Sequence, residues 1–164
     1  MKVEFDIKGL EGVVKTLREL PPELVSKRGG VVRRAASKAI NVIRNQARVN
    51  LRARTLSGDN SNTGFTAKSV VSKRKKPPAG VNGERFIVTV KYEDHPTSRG
   101  VYKRKKIKAN DIAFMMEYGT INQPPEPWLR PAYESKKELA VSTATAEVLS
   151  GIKKAVDKLS RQNK

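Results

Sequence analysis

One uninterrupted stretch limits the fold of this chain more than any other. Between residues 23 and 54 there is no proline, and only Gly29-Gly30 weakens the run. Val32, Ala36, Ala39, Ile40, Ile43, Ala47 and Leu51 fall within a stripe about 120° wide at 100° per residue. Arg34, Lys38, Arg44, Arg48 and Arg52 take the opposite side. The spacing predicts one long amphipathic helix, with a short lead-in before the Gly pair and a main part from near 31. Such a helix must lay its apolar stripe on something, and it carries an arginine face elsewhere.

The partners for that stripe are short. Val3, Phe5 and Ile7 alternate with Glu4, Asp6 and Lys8, the period of a half-buried strand over 2–8. Leu10, Val13, Val14, Leu17 and Leu20 recur at helical spacing over 10–20, and Pro21-Pro22 ends that helix. Residues 55–64 are turn formers throughout and read as an exposed loop. A strand is expected near 67–74. The β-branched run at 85–92 predicts another, and the two pair as an antiparallel hairpin with a long basic connection. The polar segment 93–109 reads as a mobile arm.

Asn110 or Asp111 is placed to cap a short helix, Ile112 to Tyr118, stopped by Gly119. Because that helix is apolar nearly all round, it is expected to be buried. Residues 123–127 (QPPEP) form a stiff extended connector. Pro131 is placed to begin a final helix running to about 160. The sum is a single α+β domain over 1–164: a small antiparallel sheet packed by the long helix and a C-terminal helix. Mobile loops are expected at 55–64, 75–84 and 93–109, with a frayed C-terminus. No internal repeat is visible.

Charge narrows the function. Of 34 Lys and Arg against 16 Asp and Glu, residues 24–110 hold 22 bases and four acids, which is the whole net charge of +18. A basic middle suggests an anionic partner, either nucleic acid or an acidic protein face. Candidate contacts are Arg34, Lys38, Arg44, Arg48 and Arg52 with the runs Lys73-Arg74-Lys75-Lys76 and Lys103-Arg104-Lys105-Lys106. Only Phe65, Phe86, Tyr92 and Tyr102 lie between 55 and 108, so stacking platforms for single strands are not apparent. Binding of that kind would follow the phosphate backbone and ignore sequence.

Chemistry is sparsely equipped. Cysteine is absent and His95 is the one histidine, which leaves little for thiol, zinc or histidine-relay catalysis. No GxGxxG, Walker or GxSxG pattern occurs. Glu93, Asp94 and His95 could form a small acid–base or metal cluster with Glu117, as a small nuclease would need, but a solvated turn beside Pro96 is the commoner explanation. No catalytic, metal or cofactor site is assigned. Glu117, in the last turn of an apolar helix, opposes the helix dipole and calls for a cationic partner; Arg130 is the nearest, and the pair reads as a structural clamp. No run approaches the roughly 20 apolar residues of a membrane span, and a signal-peptide apolar region is not seen, so a soluble intracellular product is expected.

Residues 112–134 (IAFMMEYGTINQPPEPWLRPAYE) resemble the signature of a tailed-bacteriophage neck and tail-component family. Its members end a short helix in an acidic–aromatic–Gly–Thr step, here Glu117, Tyr118, Gly119 and Thr120. A loop then leads to Pro, an aromatic, a hydrophobe, Arg and Pro-Ala, here Pro127, Trp128, Leu129, Arg130, Pro131 and Ala132. The opening strand, Gly9-Leu10, the long Ala-rich helix, and Thr63-Gly64 before Ser69-Val70 also agree. The chain departs from the pattern in a longer basic segment at 93–109 and in Trp128 where Phe is usual.

The resemblance implies a virion structural protein, not an enzyme, made in the host cytoplasm and resident in the neck or tail. It implies a ring, sixfold to match a tail tube, built from copies that can be monomers in isolation. Partners would be connector and tail-tube or tail-terminator proteins, with DNA in the lumen and no membrane. Gly119 permits a sharp reversal and the prolines stiffen the loop. Trp128 suits either an interface anchor or an ordinary core position. A sequence-indifferent nucleic-acid-binding protein is the alternative.

Overall fold

The computed structural model describes residues 30–53, 64–80, 84–96 and 107–162. The expected strand at 2–8, the helix at 10–20 and the lead-in before 30 lie outside the described residues, as do 54–63 and the run 103–106. Six elements follow in order: α1 (Val31–Ala53), α2 (Phe65–Lys68), β1 (Val70–Lys75), β2 (Arg85–Val90), α3 (Ala109–Tyr118) and α4 (Leu129–Gln162). The fold is α+β, a two-stranded antiparallel sheet packed against long helices.

Helix α1 is the central element. It buries Val31, Ala35, Ala39, Ile40, Ile43, Ala47 and Leu51, so Val32 and Ala36, expected in the stripe, are only half-buried. The reason is geometric. Positions four apart drift by about 40° per step around a helix, so the buried line winds. At its start Val31 and Ala35 meet Val148 and Ile152 of α4. Further along, Ala39 to Leu51 join the main core with Val70, Val88 and Val90 of the sheet, Ile112, Ala113 and Met116 of α3, and Trp128, Leu129 and Ala132 at the start of α4.

Helix α4 runs antiparallel to α1. Val31 lies against Gly151, Lys38 Nζ reaches Glu147 Oε2 at 2.6 Å, and Asn50 Nδ2 donates to the Trp128 carbonyl at 3.0 Å. The contact surfaces are small: Ala35, Ala39 and Ala47 on one helix, Ala132, Ala140 and Ala144 on the other. Gly151 marks the tightest point, since a Cβ there would stand 2.4 Å from Val31 Cγ1.

The hairpin pairs Val70 with Val90 through to Lys75 with Arg85. Its root is buried and the outer end of β1 is exposed. The strand expected from 67 begins instead at 70, because Phe65–Lys68 forms one helical turn entered through Gly64 at φ 66°. Ser69 N closes that turn by donating to the Phe65 carbonyl at 2.9 Å. Beyond β2 the chain stays tied: Lys91 N donates to the Ser69 carbonyl, His95 N to Ile107 and Ala109 N to Glu93, each at 2.9 Å. Asp94 and Lys108 form a β-bridge. Residues 93–95 and 107–109 are therefore paired backbone, which corrects the expectation of a loose arm beginning at 93. Lys75 likewise belongs to β1 rather than to a loop. Among the described residues no helix is long and apolar enough to cross a membrane.

Candidate functional site: a braced elbow and a sorted basic surface

The residues of the C-terminal signature come together as one turn between α3 and α4. Helix α3 starts three residues earlier than its apolar pattern predicts. Its cap is Lys108, whose side chain makes no capping bond, and Asn110 and Asp111 fall inside the first turn. The β-bridge that fixes the Lys108 backbone explains the early start. At the other end Gly119 N donates to the Met115 carbonyl at 2.8 Å, and the chain turns at φ 77°. A side chain here would be strained by that φ and obstructed, with a Cβ 2.8 Å from both the Gln123 carbonyl oxygen and Pro125 N.

A tight turn follows. Thr120 N donates to the Gln123 carbonyl at 2.8 Å, Gln123 N returns a bond to Thr120 at 3.3 Å, and Thr120 Oγ1 accepts from Asn122 N at 3.3 Å. Its tip is Ile121, fully exposed. The returning chain packs Pro125 against Gly119 and ties Glu126 N to the Met116 carbonyl at 2.8 Å.

Glu117 then locks the junction. Its side chain is wholly buried; Oε2 accepts from Trp128 N and Leu129 N at 2.8 Å, and Oε1 accepts from Arg130 N at 3.3 Å. The first four amides of a helix have no partner within it. Here Glu117 takes three and Pro131, the fourth, has none to offer. A carboxylate at the positive end of α4 is also favoured by the helix dipole. The expected Glu117–Arg130 pair is present but long, and the closer partners are backbone amides. The Arg130 guanidinium lies 3.9 Å from Oε1, mostly in solvent, and over the Tyr118 ring at 5.6 Å. Helix α4 starts at Leu129, two residues before Pro131, which brings those amides into reach.

Trp128 is fully buried and donates its indole N–H to the Ala113 carbonyl at 3.0 Å. Of the two roles open to it, the structure assigns the core one. Pro127 is half-buried and Pro131 exposed. The expectation that all of α3 is buried fails on one side. Ala109, Ile112, Ala113 and Met116 face the core, whereas Phe114 and Tyr118 are roughly half-exposed, 48% and 42%, with rings 4.7 Å apart. Phe114 and Ile121 do not stand out as functional residues in the sequence; the four-residue spacing of Phe114 and Tyr118 is the signal that could have found the first.

The basic surface separates into used and unused cations. Arg48 donates to the Val70 carbonyl at 2.9 Å and the Lys68 carbonyl at 3.2 Å, so it fastens the hairpin to α1 and is not a free contact residue. Lys38 pairs with Glu147, which holds that carboxyl below the usual range. Arg44 donates to Asn45 Oδ1 at 3.0 Å, and partial burial followed by the Arg48 charge lowers its pKa. Arg74 Nη2 donates to Glu84 Oε1 at 2.7 Å, a bond that raises the arginine's pKa. Arg34 and Arg52 are exposed, as are Lys73, Lys75 and Lys76.

Glu93, Asp94 and His95 do not converge on a site. Ser69 Oγ donates to Glu93, Lys108 pairs with Asp94, and His95 is buried with its ring edge-on to Phe65 at 5.3 Å. Burial lowers the His95 pKa. The expected solvated turn is therefore a packed one, held by the backbone pairing with 107–109. Among the described residues no group of three or more His, Asp or Glu is placed to hold a metal. Comparison of the chain with protein-family models, with curated protein sequences and with solved structures finds no match.

Proposed function

We propose that this chain is a structural component of a tailed-phage neck or tail-completion assembly, forming a ring between connector and tail tube and performing no bond-making chemistry. The observation that carries the reading is the convergence of the signature residues. Glu117, Gly119, Thr120, Trp128 and Pro131 all brace a single elbow. What the elbow offers outward is Tyr118 with Phe114, the Arg130 guanidinium and the Ile121 tip. A rigid protrusion with aromatic and arginine groups loses little entropy on docking and has the composition of interface anchors. A ring of identical copies needs a heterologous contact of this kind, one surface on each copy meeting a different surface on the next.

The test is assembly. Purified protein mixed with connector and tail-tube proteins, followed by mass photometry and negative-stain microscopy, is expected to give closed rings, sixfold in symmetry. Tyr118→Ser combined with Ile121→Ser is expected to leave the monomer folded and abolish the rings. Monomers alone in the presence of both partners would refute the reading.

A further inference from the structure

Among the cations whose surroundings are described, most of those near an acid are paired with it. Lys38 has Glu147, Arg74 has Glu84, Lys108 has Asp94 and Lys137 has Glu134. Lys73, Lys75 and Lys76 are different. All three are exposed, and none of their side chains forms a hydrogen bond or ion pair among the described residues. Lys73 and Lys75 occupy the outer end of β1 and Lys76 follows it, where the hairpin leaves the body of the protein. Lys73 and Lys75 point to one side of the ribbon, opposite Ile87 and Arg85 in the register. On the other side Arg74 is held by Glu84.

We propose that the outer half of this hairpin is a contact surface for the phosphate backbone of duplex DNA. Three like charges within four residues repel one another in the isolated fold, and a polyanion relieves that repulsion. The surface offers charge alone: Ile87, across from Lys73, is buried and Phe86 packs against the core, so neither presents an exposed apolar face beside the lysines. Interfaces between proteins are depleted in lysine and depend on apolar or aromatic anchors. Single strands need stacking platforms. A lysine-only ribbon lacks both, and it matches a backbone whose recognition is electrostatic. A two-stranded ribbon is also narrow enough for the major groove. This inference does not rest on ring formation, since a monomer carries the whole surface.

The experiment is fluorescence anisotropy with a labelled mixed-sequence duplex, titrated at several salt concentrations. Lys73→Gln, Lys75→Gln and Lys76→Gln together are expected to reduce the slope of log K against log salt by about 2.7, or ~0.9 for each phosphate that is no longer neutralised. Binding at 0.1 M salt then weakens on the order of a hundredfold. The charge-matched control Lys136→Gln, Lys153→Gln, Lys154→Gln changes the slope by less than about one, and the triple Lys-to-Arg variant at 73, 75 and 76 keeps the wild-type slope. An equal weakening in the control, no duplex binding by the wild type at 0.1 M salt, or poly-L-glutamate displacing DNA at a lower charge concentration than DNA itself would each overturn the assignment. Circular dichroism of every variant ensures that the comparison is between folded proteins.

Discussion

Glu117 is the side chain on which the elbow turns, and its replacement tests the packing argument most directly. Its carboxylate takes the N–H groups of Trp128 and Leu129 at 2.8 Å and of Arg130 at 3.3 Å, with no side-chain exposure. Glu117→Ala leaves two buried amides and one half-buried amide without a partner. Each buried unpaired amide costs about 1–3 kcal/mol, and loss of a helix cap about 0.5–2 kcal/mol. Taken together a loss of roughly 4 kcal/mol is expected. At a urea slope of about 2 kcal/mol/M the unfolding midpoint falls by about 2 M. Glu117→Gln keeps an acceptor for the two short bonds and gives up the charge, for roughly 1–2 kcal/mol. Arg130→Gln removes a long, solvent-exposed ion pair and should cost less than about 0.5 kcal/mol. Urea titrations read by Trp128 fluorescence and by far-ultraviolet circular dichroism, with unchanged slopes, provide the comparison. If Arg130→Gln costs as much as Glu117→Gln, the ion pair holds the elbow and the capping argument is wrong.

Three further outcomes follow from single positions. Gly119→Ala forces a Cβ to within 2.8 Å of backbone atoms at a left-handed φ; a loss of about 2–4 kcal/mol is expected in thermal or urea unfolding, and a neutral result would mean the turn relaxes freely. Gly151→Ala puts a methyl 2.4 Å from Val31 Cγ1, for about 1–3 kcal/mol; Val31→Ala in the same chain should recover part of it, so a double-mutant cycle without coupling counts against the helix contact. His95 has a pKa lowered by burial from an ordinary 6.5, so the unfolded chain takes up its proton first as pH falls. The stability it lends is complete above about 6.5 and declines below it, by up to about 1.4 kcal/mol per pH unit until the folded-state value is passed. His95→Gln should flatten that part of the stability–pH curve, and an unchanged curve would show that the ring titrates freely.

How far the fold was legible depended on periodicity. The period of 3.6 placed α1, and the β-branched alternation placed β2 and its antiparallel partner, because those signals are local. The winding of the α1 stripe was not local. Val31 and Ala35 are buried where Val32 and Ala36 were expected because α4 and the hairpin cover different arcs of the same helix. Similarly, Arg48 belongs by pattern to the arginine face, yet its guanidinium reaches two carbonyls around the start of β1. A helical wheel shows which side a residue takes and says nothing of an unpaired carbonyl arriving from a distant part of the chain.

The elbow shows the same limit from the chemical side. Glu117 stood out in the sequence because a carboxylate at the C-terminal end of a helix needs compensation, and that reasoning holds. Arg130 is a long-range partner at 3.9 Å, and the three closer ones were missed because side-chain charges can be read from a sequence and free backbone amides cannot. Once α4 is known to begin at Leu129, its unpaired amides are a stronger claim on a buried carboxylate than an arginine that can remain in water. The prolines then acquire separate tasks: Pro125 packs on the glycine that turns the chain, and Pro131 removes the one amide Glu117 could not reach. With its internal polar groups satisfied in this way, the turn can hold Tyr118, Phe114 and Ile121 outward without help from a partner. That is the physical reason behind the proposal that those exposed apolar groups form a docking edge.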